Sequence, residues 1–415
     1  MSKEIVIIGG GIIGLSTAYY LHKEGCKVTI IDQSDITSGA SFINAGYISP
    51  SHIIPLASPG MISTGLKMMF NSASPFYIKP RLEADFLKWS LAFKKSSTKL
   101  KVEKAIPVIR DINLLSKELY TDIYTDAAFN FHLENKGLLM YYQTEKAGEK
   151  ERVVAKKAAD VGLETELLSV TEVRKLEPNV DLNIKGAIYY KCDAHMTPSQ
   201  FMEQMYRYLE NSGVQFYTNE KVIDLEVLSD SVSKVKTDKR EILSDEVVIA
   251  AGSWSPLVAK KLGIRLLVQA GKGYCINVYS NTGITIPAVL IEAKIGVTPM
   301  NGFTRFAGTM EIAGINHEIN TTRVKAIAKA SSHYYNGLRI GQSEIDAAAC
   351  GLRPVSPDGL PYIGKVSNYK NVTIATGHAM MGWSLGPATG KLVSEIITGQ
   401  KCSMSIEAFN PERKF

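Results

Sequence analysis

The chain has five cysteines in 415 residues, no Cys-x-x-Cys pair, no long apolar run and no basic stripe. The cysteines, at 26, 192, 275, 350 and 402, are odd in number and scattered. That argues against a disulfide framework and against a cysteine-rich zinc site, and it fits a reducing compartment. No metal is expected. No segment offers the ~18 consecutive apolar residues that a spanning helix requires. The apolar run Ile5-Val6-Ile7-Ile8 is too short for a secretion signal and leads into a glycine turn instead of a cleavage site. The expectation is a cytoplasmic protein, either free or peripheral on the inner face of the membrane. A formal net charge of +6 is mild and dispersed. It could favour an anionic ligand or a membrane surface, but it lacks the aromatic interleaving of single-strand binders, so nucleic acid is not an expected partner. Internal repeats and low-complexity segments are also absent. What remains is ordinary globular composition, 45% apolar and 21% charged, in a chain long enough for two domains.

The N-terminus carries the clearest motif. Ile5-Val6-Ile7-Ile8 reads as a strand buried on both faces, as in a parallel sheet. Gly9-Gly10-Gly11-Ile12-Ile13-Gly14 follows and fits G-x-G-x-x-G. A helix is expected over residues 15–22, ending at Gly25, and a second strand over 27–31, stopping at Asp32. Gly9 permits the turn out of the strand. Gly11 leaves room for a pyrophosphate. Gly14 lets the helix pack on the sheet, and the helix N-terminus faces the phosphates with free N–H groups. Asp32 can accept from a ribose diol. Strand, turn, helix, strand and acid occur in order, so a bound dinucleotide is expected. The small-residue loop Ser38-Gly39-Ala40-Ser41-Phe42-Ile43-Asn44-Ala45-Gly46 suits close backbone approach to a flat ring system, although a surface loop has the same composition.

Beyond residue 50 the chain reads as irregular to about residue 80, with Pro50, Pro55, Pro59, Pro75 and Pro80. Residues 82–95 are expected to be a helix with Leu82, Phe86, Trp89 and Phe93 on one face, and Lys88, Lys94 and Lys95 elsewhere, before a basic run at Lys99, Lys101 and Lys104. Its apolar face belongs in a core; a sharper alternative is contact with anionic lipid. Thr197-Pro198-Ser199-Gln200 reads as a capped helix start, with His195 just ahead of it as a structural loop histidine. Two further apolar strands end in glycine turns, Val247-Val248-Ile249-Ala250 before Gly252 and Val372-Thr373-Ile374-Ala375 before Gly377. Ligands of open α/β sheets lie off such strand ends. Residues 265–350 alternate as in an antiparallel sheet.

Four blocks together resemble the D-amino-acid oxidase superfamily of FAD-dependent oxidoreductases, and most closely its bacterial D-amino-acid dehydrogenases. They are residues 9–32, residues 41–50, Gly351-Leu352-Arg353-Pro354-Val355-Ser356-Pro357-Asp358-Gly359, and residues 377–383. The resemblance implies an α/β + β fold: a Rossmann-like FAD-binding domain (1–50, 150–255 and 350–415) with a discontinuous, largely antiparallel β-sheet substrate domain (51–149 and 256–349). It implies FAD held by Gly9, Gly11, Ile12, Ile13, Gly14, Asp32, Ser41, Asn44, Ala45, Gly46, Val222, Gly252, Gly377, His378, Met381, Gly382 and Trp383. Binding is expected to be non-covalent, since no cysteine lies between Arg353 and Trp383. Arg353 is expected to clamp the substrate carboxylate, for which a guanidinium has matching donors and a permanent charge. Oxidase relatives pair this arginine with a tyrosine, but Ile295-Gly296-Val297-Thr298-Pro299 has none, which leaves Tyr274 as the candidate. The implied reaction is hydride transfer from a D-amino acid, a proline-like ring among the candidates, to flavin, giving an imine or 2-oxo acid. The expected partners are a small amino acid with a free carboxylate and a quinone or other non-oxygen acceptor. Two alternatives stay open: a peroxide-forming glycine/sarcosine-type amine oxidase, and a non-catalytic flavin-binding electron-transfer or sensor subunit.

Overall fold

The computed structural model describes residues 3–60 and 74–415, so part of the expected irregular stretch, 61–73, lies outside the described residues. A six-stranded sheet runs in the order Gln215–Tyr217, Lys27–Ile31, Glu4–Ile8, Glu246–Ile249, Val372–Thr376 and Tyr362–Lys365. The first five strands are parallel and the last is antiparallel. The unbroken β-branched run at 5–8 has a simple cause: both faces are covered. Ile5 and Ile7 join a core with helices Ile12–Lys23, Lys99–Thr125, Pro198–Asn211 and Gly386–Thr398. Val6 and Ile8 join a second core under a three-stranded antiparallel sheet of Val222–Leu228, Ser231–Thr237 and Glu241–Leu243. From Glu4–Ile8 the chain moves to Lys27–Ile31 on one side and later returns to Glu246–Ile249 on the other. The order therefore reverses at the first strand, and a crevice opens beyond its carboxyl end.

A nine-stranded sheet faces that crevice. Its order is Ala349–Val355, Gln269–Val278, Phe303–Ile312, Ile295–Met300, Ala288–Leu290, Leu138–Tyr142, Gly186–Tyr190 and Thr165–Leu168, with Phe76–Ile78 beside Phe303–Ile312. Pairing is antiparallel except for Ala288–Leu290 with Leu138–Tyr142 and Phe76–Ile78 with Phe303–Ile312. The far face buries Tyr274, Ile276, Val297 and Phe306 against Val324 and Ile327 of helix Thr321–Tyr334.

Three expectations shift. Strands Thr165–Leu168 and Gly186–Tyr190 pair within the nine-stranded sheet, so the segment from 150 to 190 lies with it and not with the dinucleotide sheet. Conversely, helix Lys99–Thr125 puts Ile109, Ile112 and Tyr120 into the first sheet's core. Hydropathy marks elements but does not say which sheet a strand joins. Helix Pro198–Asn211 starts where expected, but Thr197 makes no side-chain cap; its Oγ1 accepts from Asn301 N–H, and Gln200 Oε1 accepts from His132 N–H. In helix Ala84–Ser96, Phe86, Trp89 and Phe93 are buried as a core face, whereas Leu82 precedes the helix and is 95% exposed. Among the described residues no helix is long and apolar enough to cross a membrane.

Candidate functional site

The glycine turn is packed so tightly that side chains are excluded at two of its positions. Gly9 has φ +115°, and a Cβ there would lie 2.5 Å from the Ala250 carbonyl oxygen. A Cβ on Gly14 would lie 1.8 Å from the Gly9 carbonyl oxygen. Gly11 differs: a Cβ would meet only Ser41 Oγ, at 3.2 Å. Its emptiness serves the crevice and not the fold. Asp32 accepts from Gly10 N–H (2.6 Å) and from both N–H and Oγ–H of Ser34 (2.8 Å each), which fixes its carboxylate at the strand end. Ser41 Oγ accepts from Ile12 N–H at 3.0 Å, tying the small-residue loop to the start of the first helix.

These parts border one cavity of about 1630 Å³ that runs between the two sheets. Gly9, Gly11, Ile12, Ile13, Asp32, Ser41, Asn44, Ala45, Val222, Gly252, His378, Met381, Gly382 and Trp383 all line it. Gly14, Gly46 and Gly377 stand behind the lining. Gly46 (φ +78°) backs onto the Met196 carbonyl, and Gly377 (φ +80°) onto the Tyr362 ring. The Asn44-Ala45-Gly46 segment is held by its carbonyls, which accept from Arg305 Nη1 (2.6 Å), Thr298 Oγ1 (2.7 Å) and Met196 N–H (2.9 Å). No hydrogen bond occupies the N–H of Ala45 among the described residues. Two side-chain atoms at the cavity, His378 Nδ1 and Trp383 Nε1, are buried without a partner among the described residues. Unmade hydrogen bonds at a buried site cost stability unless a ligand completes them. Burial pushes the His378 imidazole down to about 3, so it stays neutral, with Nε2 on Thr389 Oγ1 at 3.0 Å.

Across the cavity the nine-stranded sheet presents a row of small residues, with the Tyr47 ring lying over Gly296 and Ala40 over Gly351. Gly296, Ala307, Cys275 and Ala349 lie side by side on four adjacent strands, with Gly273 opposite Gly351 in the next row. Arg353 stands at one end of this row. Its Nη1 donates to the Thr309 carbonyl at 3.0 Å. Thr309 has φ +71° at a register shift in its strand, an unusual conformation for a threonine. A Cβ on Gly273 would sit 2.0 Å from Arg353 Nη1, so the guanidinium rests where a side chain is missing. The flanking carbonyls of Leu352 and Pro354 accept from Ser253 Oγ (3.1 Å) and Ala379 N–H (2.8 Å), which anchors this strand to two glycine turns of the first sheet. No carboxylate pairs with Arg353 among the described residues, and burial pushes its pKa down. A partly buried cation without an anion is a receptor for one.

The structure does not bring Tyr274 to Arg353. Gly271 is opposite Arg353 and Tyr274 opposite Cys350, three positions apart, so the two side chains leave the sheet on opposite faces. Tyr274 borders the cavity, but its hydroxyl donates to Glu311 at 2.9 Å on the helix side, where Arg323 Nε is 3.2 Å from the same carboxylate. The Gly-Lys-Gly-Tyr stretch matters at the site through Gly273. Sequence reasoning missed Gly273, Thr309 and Arg305. The glycines at 271 and 273 inside an alternating strand were the available signal; Arg305 had none, because its partner loop lies some 260 residues away in the chain (|i−j| of 261 for Asn44).

A family profile described as FAD dependent oxidoreductase matches residues 4–396. A D-amino acid dehydrogenase of Helicobacter pylori is 32% identical over 398 residues, covering 95% of each chain. A D-amino acid dehydrogenase of Vibrio vulnificus is 31% identical over 412 residues, covering 96% of each. Among solved structures, glycine oxidase from Geobacillus kaustophilus superposes with a TM-score of 0.75 at 20% identity, over 100% of both chains. L-proline dehydrogenase from P. horikoshii superposes with a TM-score of 0.75 at 18% identity, over 99% of this chain and 97% of that one. At such identities the superpositions speak for the fold.

Proposed function

This chain belongs to the FAD-dependent oxidoreductase family, and from that premise we propose that it is a D-amino-acid dehydrogenase that passes electrons to a quinone or similar non-oxygen acceptor. It is an FAD-dependent amino-acid oxidoreductase. The residues present fit the cofactor: the glycine turn leaves the pyrophosphate position empty at Gly11, and the unpartnered Ala45 N–H, His378 Nδ1 and Trp383 Nε1 await a polar ligand. Gly9, Gly11, Ile12, Ile13, Asp32 and Ser41 would hold the dinucleotide end, with Gly14 backing the turn. Asn44, Ala45, His378, Met381, Gly382 and Trp383 would hold the ring end, with Gly46 and Gly377 behind them and Val222 and Gly252 at the adenine and middle. Bound FAD supplies the two-electron acceptor for the substrate Cα–H bond.

The observation that carries the reading is Arg353, a guanidinium with no carboxylate of its own, set over Gly273 at the edge of the small-residue row. It would take the substrate carboxylate through two parallel donors, and that contact would fix which face of Cα is presented. The small residues Ala307, Cys275 and Ala349 would give the side chain room, with the Tyr47 ring over Gly296 as its limit on one side. Tyr274, turned to Glu311, would act by positioning its strand. The substrate amine reacts as the neutral form, and the imine product hydrolyses in water to a 2-oxo acid and ammonia, or stays cyclic for a proline-like ring. An anaerobic screen of D- and L-amino acids for flavin bleaching tests this. Bleaching by D-isomers is expected, and bleaching by L-isomers alone overturns it. Peroxide formed at the dye-coupled rate would instead indicate a glycine/sarcosine-type oxidase, and no bleaching at all a non-catalytic flavin carrier.

A quinone is reached at the bilayer surface, and one face of the molecule suits that. Leu87 and Leu91, one turn apart on helix Ala84–Ser96, are exposed on the side opposite the buried aromatics, and Lys88, Lys94 and Lys95 of the same helix are exposed, as are Glu83 and Asp85 at its start. Exposed leucines followed by lysines at the helix end suit an anionic membrane surface.

A further inference from the structure

We propose that His132, Glu134 and His195 form a site for a divalent transition-metal cation, outside the cavity lining and on the small sheet that follows the Asn44-Ala45-Gly46 segment. The two histidines are 63 positions apart in the chain and come together because strand Ala194–Met196 lies between Leu133–Glu134 and Tyr47–Ile48, with His195 opposite both Glu134 and Tyr47. The ligand atoms of all three side chains lie within 4.8 Å of one another. His195 Nε2 is 3.4 Å and His132 Nε2 3.8 Å from Glu134 Oε2. Ligands bound at 2.0–2.1 Å around a tetrahedral ion are about 3.3 Å apart, so only small side-chain rotations are needed.

The second line of argument is chemical. The His195 side chain is fully buried; Glu134 Oε2 approaches Nε2 at 3.4 Å and the Pro299 backbone lies beside the ring, but neither nitrogen completes a well-aligned hydrogen bond among the described residues. An imidazole removed from water and without a well-formed hydrogen bond is costly as a packing element. Metal ligation would use one of them. His132 already has the complementary arrangement: Nδ1 meets Thr197 Oγ1 at 3.0 Å, leaving Nε2 for the ion. Ligating histidines characteristically use their second nitrogen in this way. Two imidazoles and a carboxylate leave one open position for water, a donor set that suits zinc and its neighbours. Glu134 and His132 are partly exposed, which provides an entry path. Lys136 competes, since its Nζ is 2.9 Å from Glu134 Oε2; its half-exposed side chain can swing into solvent.

The ion would cross-link segments that support the cofactor loop. Met196, next to His195, donates its N–H to the Gly46 carbonyl, and Thr197 accepts from Asn301 N–H while touching His132. The expected consequence is stiffening behind the loop, read as heat resistance that saturates at one equivalent.

The test uses tag-free, FAD-loaded protein titrated with Co²⁺ and Zn²⁺. One equivalent of Co²⁺ should give visible d–d bands without sulfur charge-transfer absorption, displaced by Zn²⁺. His132→Gln and Glu134→Gln should each weaken binding by more than about 10-fold, the loss that even an outer-shell partner can cause. Lys136→Gln should strengthen it, an outcome that misfolding cannot mimic. His195→Ala is avoided because a buried substitution could unfold the sheet. No stoichiometric binding, binding untouched by His132→Gln, or a cobalt spectrum with thiolate character would each overturn the proposal.

Discussion

On the first sheet's side of the cavity the ligand surface is backbone, drawn from three turns that each follow one parallel strand: Gly9 after Glu4–Ile8, Gly252 after Glu246–Ile249 and Gly377 after Val372–Thr376. Opposite it, the surface is a row of small residues across four antiparallel strands, with Arg353 at its edge. The first surface is made by local chain geometry, so each piece can be recognised within a dozen residues. The second exists only in register: Gly296, Ala307, Cys275 and Ala349 mean nothing until the strands align. The difference also separates the two tasks. On the proposed reading, backbone N–H groups and a helix terminus would hold a large constant ligand, and the small-residue floor beside Arg353 would admit a small variable one.

The sharpest way to break the separation is at Gly11. Valine there should abolish FAD binding, because the branched side chain would point into the pyrophosphate position. The fold should survive, since a Cβ meets only Ser41 Oγ at 3.2 Å. The purified variant is expected to be colourless with an unchanged far-UV circular dichroism spectrum. Gly14→Val is the contrast: its Cβ would strike the Gly9 carbonyl, so folding itself should fail. A yellow, FAD-retaining Gly11→Val protein would sink the assignment of this turn.

On the opposite surface, Arg353→Leu should leave FAD in place and lower kcat/KM by about two powers of ten or more, the loss of a charge-assisted bidentate contact worth roughly 3 kcal/mol. Lysine should rescue only part, because an ammonium has no planar fork. Steady-state kinetics with dye as acceptor measure both. Near-normal kinetics in the leucine variant would remove Arg353 from the substrate site.

Gly273→Ala probes the same contact more gently. The new Cβ would overlap Nη1, which stands 2.0 Å away, but the guanidinium is the free end of a flexible side chain and can yield. The carboxylate clamp should therefore move without being lost. KM is expected to rise about tenfold, equivalent to ~1.4 kcal/mol, with FAD content and Tm nearly unchanged. A variant with unaltered KM would show that the guanidinium is not held where the glycine leaves room.

What was legible in the chain follows the same division. The run 5–8, the glycine turn and Asp32 could be read because a βαβ unit keeps sequence neighbours as spatial neighbours. Arg353 was found only through the resemblance, since a lone arginine in Gly-Leu-Arg-Pro has no local meaning. Tyr274 shows the limit. A strand's alternation says that Gly273 and Tyr274 face opposite ways, but not which way is the site. Only the pairing with Arg353 and Glu311 decides it. The His132–Glu134–His195 cluster was hidden for the same reason, because its strands meet through a three-stranded sheet that no local pattern announces.

The smallest expected effect concerns the outer face, where neither kind of construction applies. In helix Ala84–Ser96 one side is spent on the core through Phe86, Trp89 and Phe93, and the other leaves Leu87 and Leu91 45% and 64% exposed. Burial accounts for the aromatics but not for these two leucines, which gain nothing from water. Lys88, Lys94 and Lys95 on the same helix and Lys99 and Lys104 on the next are all exposed. Each lysine near an anionic leaflet contributes about 1 kcal/mol, and the attraction fades within a Debye length of ~8 Å at physiological salt. Binding to anionic vesicles should therefore occur at low salt and fall steeply as salt rises. Leu87→Ser with Leu91→Ser should weaken it by roughly 1–2 kcal/mol, about tenfold, because each leucine inserts only part of its surface. Dye-coupled turnover in solution should not change, since Leu87 and Leu91 are exposed and lie outside the cavity lining. Quinone-coupled turnover on vesicles should fall with the binding. Equal sedimentation of wild type and double variant would assign the leucines no role at the membrane, and indifference of the wild type to vesicles would remove the membrane from this protein's chemistry.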